Sequence, residues 1–192
     1  MNIADISGWI AMIGLIIAYF GLSAGAYRSD SKTYLGLNIA ASIVSLINTV
    51  AYSNWAIVAL NIAFILISVA GIKKYDIARF SPSSAAYSIV VICFFIFTAL
   101  LFVITGSLAV TLPYLAWLAP LIFIGAYMLF VGGEMGKLQF LAINCFGQAI
   151  VITEAWSTGN NPLMAQQASF YLLGACGIVR ILIKPGGEQP QS

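Results

Sequence analysis

The chain has 192 residues, of which 61% are apolar and only 7% are charged, and its mean hydropathy is +1.00. An ordinary soluble domain is roughly 25% charged, so eight Lys and Arg with six Asp and Glu cannot keep this surface wetted; a soluble globule is excluded and lipid is the natural solvent. The absence of histidine excludes imidazole catalysis and His-ligated metal or haem, the three cysteines lie inside apolar stretches and indicate neither zinc nor disulfides, and a net charge of +2 without a basic cluster gives no footprint for nucleic acid.

A bilayer core of about 30 Å needs about 20 apolar residues per helix, and seven stretches meet that demand. The first runs over Gly8–Gly25. Asp5 precedes it where a cleaved signal would carry Lys or Arg, so a retained span is expected. Arg28-Ser-Asp-Ser-Lys32 leads to the second, Tyr34–Tyr52, and Ser53-Asn54 to the third, Trp55–Ile72. Ser81-Pro-Ser-Ser84 opens the fourth, Ala86–Thr105. The fifth, Leu115–Val131, is set off by Gly106-Ser107 and Pro113; Pro120 inside it invites a kink. Gly132-Gly-Glu-Met-Gly136 separates it from the sixth, Leu138–Trp156, and Thr158-Gly-Asn-Asn-Pro162 introduces the seventh, Leu163–Ile183. These breaks carry turn chemistry. The tail from Pro185 to Ser192 reads as disordered.

The basic residues fix an orientation. Arg28 and Lys32 lie in the first loop, Lys73, Lys74 and Arg79 in the third, Lys137 in the fifth, and Arg180 and Lys184 at the C-terminal end. With seven spans all eight fall on one side. The positive-inside bias makes that side cytoplasmic and places the N-terminus outside; a bacterial inner membrane is the expected location. Six or eight spans would scatter the charges.

The chain also matches itself. At an offset of 108, Trp9 falls on Trp117, Ala18-Tyr19 on Ala126-Tyr127 and Gly25 on Gly133. At an offset of 106, Asn38 falls on Asn144, Asn48 on Glu154, Asn61 on Gln167 and Gly71-Ile72 on Gly177-Ile178. The predicted fold is therefore all-α: two three-helix repeats, residues 1–79 and 113–184, joined by an inverter helix and linkers at 80–112, with a tail at 185–192. Three helices end on the opposite side from where they start, so one extra helix is needed for both repeats to lie parallel.

Polar residues recur inside these spans. Asn38, Ser42, Ser45 and Asn48 fall within an arc of roughly 120° on the second helix; Asn144, Gly147, Gln148 and Glu154 repeat the stripe on the sixth. Asn61 and Ser68 share a face of the third, as do Gln167 and Gly174 on the seventh. Buried amides face one another or an aqueous cavity, never lipid cheaply. Two readings fit: the amides glue helices together, or they line a pocket between the halves suited to a small neutral polar solute. Glu154 reads as a substrate contact or proton site, or as a carboxylate that snorkels to the outer surface. Tyr19 and Tyr127, deeper than the Trp and Tyr of the outer belt, close the cavity or stack on a ring.

Gly8-Trp-Ile…Ala18-Tyr19, Leu35-Gly-Leu-Asn38 and Ala59-Leu-Asn61-Ile-Ala on a three-plus-one-plus-three layout resemble the SWEET and SemiSWEET sugar transporters of the PQ-loop superfamily and the PnuC-type nicotinamide riboside transporters. The resemblance implies alternating access by rocking of the two halves, a substrate-facing asparagine at Asn61 with Gln167 as its counterpart, and a homo-oligomer, dimer or trimer. The expected function is a facilitator for a sugar or nucleoside-like metabolite, with Asn61, Gln167, Asn48, Glu154, Asn38, Asn144, Gln148, Tyr19 and Tyr127 as binding residues. No enzyme activity, cofactor, metal or nucleic acid enters this reading. Its alternative is a non-transporting assembly or accessory subunit of the membrane.

Overall fold

A computed structural model describes residues 2–183; the predicted tail and Lys184 lie outside them. The described residues are all-helical apart from turns, and seven helices are long and apolar enough to span a membrane. They are α1 (Ile3–Ser23), α2 (Lys32–Ala51), α3 (Trp55–Ile72), α4 (Ser84–Thr105), α5 (Leu108–Val131), α6 (Lys137–Thr158) and α7 (Asn161–Ile183), with a short 3-10 turn at Ala78–Phe80. Their outer faces are apolar: Ile10, Ile13, Ile17 and Phe20 of α1 and Ile89, Ile92, Ile96 and Phe97 of α4 are all exposed, as a lipid-facing surface requires.

Two helix starts differ from the sequence expectation by more than two residues. α1 begins five residues earlier than Gly8 because Asn2 and Asp5 form a capping box: the Asp5 amide donates to Asn2 Oδ1 (2.8 Å) and the Asn2 amide to Asp5 Oδ2 (3.3 Å). α5 begins at Leu108, not Leu115, and continues past Pro113 and Pro120. The chain turns at Gly106, held at φ +59, and Ser107 alone. An apolar segment at membrane depth must satisfy its own backbone, so it coils at once; the Thr111 hydroxyl donates to Ser107 O (2.9 Å) in the first turns.

The helices pack in a closed circuit: α1 on α2, α2 on α3, α3 on α5, α5 on α6, α6 on α7, and α7 back on α1. α4 stands outside it against α5, with only Tyr87 and Thr98 buried. The Tyr87 ring lies over Gly125, where a Cβ would collide with it, and its hydroxyl donates to Ile122 O (2.7 Å).

One rim of the circuit carries the cations. Lys137 Nζ donates to Ser23 O (3.3 Å) and Arg180 to Ala24 O (2.8 Å), placing positive charge on the carbonyl end of α1, where the helix dipole favours it. At the opposite rim Asn48 is a hub. Its Nδ2 donates to Ala4 O (2.9 Å), and its Oδ1 accepts from Nδ2 of Asn160 (3.0 Å), a residue with no exposed surface. Asn160 Oδ1 in turn accepts from the Leu163 amide (3.1 Å) and caps the start of α7. Gly8 makes room for this hub: a Cβ there would lie 2.6 Å from Asn48 Nδ2 and 2.8 Å from Pro162 Cβ.

Helical glycines of opposite environment give a first test. Gly8→Ala is expected to destabilise the protein by about 1–3 kcal/mol through overpacking. Gly36→Ala, on α2 with nothing within 4 Å of the added methyl, is expected to stabilise by about 0.5–1 kcal/mol. Equilibrium unfolding in detergent micelles reads both; equal effects would contradict the packing described at Gly8.

Candidate functional site

A cavity of about 50 Å³ lies at the centre of the circuit, and all six ring helices line it. α1 contributes Leu15 and Tyr19, and α2 Tyr34 and Asn38. α3 contributes Ile57, Leu60, Asn61 and Phe64; α5 contributes Phe123 and Tyr127. α6 adds Phe140, Asn144 and Gln148, and α7 adds Gln166, Gln167 and Phe170. The lining therefore combines six carboxamides and three phenols with an aromatic and aliphatic wall.

Of the residues expected from sequence, Asn38, Asn61, Asn144, Gln148, Gln167, Tyr19 and Tyr127 come together around this space. Asn48 does not line it: the hub at the rim takes its amide, because Ala4 and Asn160 approach it there. Glu154 lies on α6, and its side chain lies outside the described residues. The sequence reading missed Tyr34, Phe64, Phe123, Phe140, Gln166 and Phe170. The offsets pair them with one another or with Leu15 and Leu60, none of which the polar stripes had singled out. Leu15 falls on Phe123 at 108; Tyr34 falls on Phe140, Leu60 on Gln166 and Phe64 on Phe170 at 106.

The geometry at these offset positions is alike. Asn38 Nδ2 donates to Tyr34 O, four residues back (3.0 Å), and Asn144 Nδ2 to Phe140 O (2.8 Å). Between α3 and α5 the Phe64 and Tyr127 rings lie 4.7 Å apart; between α7 and α1 the Phe170 and Tyr19 rings lie 5.1 Å apart. The turns after α1 and α5 also agree. Gly25 and Gly133 both take positive φ (+77 and +82), and the amides that follow bond back to Gly21 O and Leu129 O respectively.

The hydrogen bonding is not alike. Asn61 Nδ2 donates to Ser45 Oγ (3.1 Å), and the hydroxyls of Ser68 and Tyr127 share a bond (2.9 Å). Three buried cavity atoms have no hydrogen-bond partner: Tyr19 Oη, Gln148 Oε1 and Gln167 Oε1. A buried acceptor left unpaired costs about 1–3 kcal/mol, so these atoms are an unmet demand for donors from whatever occupies the cavity. Beyond the spans, the Tyr52 hydroxyl donates to Asp5 Oδ1 (2.6 Å), and that bond to a carboxylate raises the Tyr52 phenol above its ordinary range. Among the described residues no group of His, Cys, Asp and Glu is arranged to hold a metal ion.

A family model whose description states no function matches residues 4–80, which cover α1 to α3 and the 3-10 turn. No curated protein and no solved structure matches the chain.

Removing Ser68 tests the site's internal bonding. Ser68→Ala removes the serine partner of the buried Tyr127 hydroxyl and is expected to destabilise by about 1 kcal/mol in the same unfolding measurement. No change in stability would show that this hydroxyl is satisfied elsewhere.

Proposed function

We propose that the protein is a membrane facilitator for a small neutral polar metabolite, sugar or nucleoside-like, bound at the central cavity between two three-helix repeats. The observation that carries this reading is the set of unpartnered buried atoms, Tyr19 Oη, Gln148 Oε1 and Gln167 Oε1, on residues that line one cavity shared by six helices. Amides used only as helix glue would be paired with one another. Carboxamides and phenols both donate and accept, and no Lys, Arg, Asp or Glu is among the lining residues, so the site suits an uncharged solute.

The repeat reading draws support from the packing circuit. Exchanging α1 with α5, α2 with α6 and α3 with α7 maps every contact of the circuit onto another, as a two-fold axis along the membrane normal demands. The matched family model ends at Phe80, close to the end of the first proposed repeat at residue 79. In this reading α4 is the inverter, the N-terminus faces outward and the cationic rim faces the cytoplasm. The layout is that of the SWEET, SemiSWEET and PnuC-type transporters, with Asn61 and Gln167 as paired contacts, and assembly as a dimer or trimer follows from the same likeness.

At about 50 Å³ the cavity has room for a few water molecules and is well below the roughly 150 Å³ that admits a benzene-sized ligand. Solute entry therefore requires the triplets to separate along the α1–α7 and α3–α5 seams, which is the rocking step of alternating access.

Uptake into proteoliposomes containing the full chain tests this. Saturable, gradient-driven entry of a radiolabelled hexose or nucleoside is expected, falling at least about tenfold in Asn61→Ala and Gln167→Ala, the equivalent of one good hydrogen bond. No saturable uptake from either class would overturn the proposal.

A further inference from the structure

The two walls of the cavity make unequal demands, and two positions account for the difference. Ser68, which holds the Tyr127 hydroxyl, corresponds at an offset of 106 to Gly174. A Cβ on Gly174 would stand 3.0 Å from Tyr19 Oη, so the place of the missing serine faces the counterpart phenol. Ser45, whose hydroxyl accepts from Asn61 Nδ2, corresponds to Val151, which offers Gln167 no such hydroxyl; Gln167 Oε1 is also without a partner. On the α2, α3 and α5 side, Asn61 and Tyr127 are bonded within the protein. On the α1, α6 and α7 side, Tyr19, Gln148 and Gln167 each keep a free oxygen and are at least nine-tenths buried, at 7%, 3% and 4% exposure. The remaining unpartnered side-chain atoms, on Ser23, Ser42 and Asn54, belong to residues outside the cavity lining.

From this we infer that the duplicated site reads its solute from one wall only. The solute presents O–H or N–H donors along a single edge to Tyr19, Gln148 and Gln167, and offers carbon or a π-face to Phe64, Tyr127 and Phe123. This rests on the cavity being a solute site and narrows what it accepts. A polyol with hydroxyls around its whole rim would bury several of them unpaired against phenylalanine, which costs more than the free wall returns. A donor pair on a flat carbon ring meets both walls.

Binding to the full chain in nanodiscs, read by calorimetry and by thermal shift, tests the inference with three probes. Catechol carries two adjacent hydroxyls on one edge, 1,2-dimethoxybenzene has the same ring without donors, and myo-inositol has hydroxyls all round. Catechol is expected to bind, and the other two at least about tenfold more weakly. Gln167→Leu, and Val151→Ser, which returns a hydroxyl to the place of Ser45, are each expected to weaken catechol by about tenfold. A ligand-free readout accompanies them: Tyr127→Phe lowers the unfolding midpoint by breaking the Ser68 bond, whereas Tyr19→Phe leaves it unchanged or raises it. Inositol binding as tightly as catechol, or Tyr19→Phe lowering the midpoint as much as Tyr127→Phe, would overturn one-sided recognition. Failure of catechol to bind while hexose or nucleoside uptake persists would overturn it alone; failure of both catechol binding and uptake would overturn the solute site with it.

Discussion

Everything in this molecule turns on what a carboxamide can do where there is no water. Each buried Asn or Gln must find partners in the protein or face a space that supplies them. The structure uses three solutions. Asn38 and Asn144 fold back on the carbonyl one turn earlier in their own helices. Asn48 and Asn160 bond to each other and to backbone, joining α1, α2 and the start of α7. Gln148 and Gln167, which line the cavity, each keep a buried oxygen without a partner. The first solution is local, the second builds the fold, and the third sets the chemistry of the site.

The aromatic residues divide similarly. Phe130 and Phe140 stack at 4.1 Å with planes 8° apart and join α5 to α6. Phe64 with Tyr127 joins α3 to α5, and Phe170 with Tyr19 joins α7 to α1. Packed rings hold these contacts by dispersion and quadrupole attraction, about 0.5–1.5 kcal/mol per pair beyond burial.

Much of this was legible in the sequence, and the failures have physical causes. Turn residues and span length located seven helices, since lipid leaves the backbone few alternatives. The spacing of Asn38, Asn61, Asn144, Gln148 and Gln167 found the cavity wall, because an amide has a reason to avoid lipid. Phe64, Phe123, Phe140 and Phe170 were not found by that argument: a phenylalanine is equally at home against lipid, in a core or at a cavity. Asn48 was assigned to the wall because periodicity reports a helix face and not the partner across it; Asn160, which takes its oxygen, lies in a turn that no periodicity reaches. The early start of α1 depended on a two-residue exchange between Asn2 and Asp5, a local bond that hydropathy does not register. The loss of symmetry at Gly174 and Val151 was present in the letters but acquires meaning only once Ser68 and Ser45 are seen to bond with Tyr127 and Asn61.

The two rims are fastened by different forces. At one, Asn48 and Asn160 meet amide to amide, buried at 2% and 0% exposure. At the other, the guanidinium of Arg180, an exposed residue, reaches the carbonyl end of α1. Dissolved ions at physiological strength damp fields beyond about 8 Å and weaken exposed charge contacts, but they do not reach a dry pair of neutral dipoles. Ionic strength therefore acts unequally on the two ends: it weakens the exposed contact of Arg180 with the carbonyl end of α1 and leaves the buried Asn48–Asn160 pair untouched.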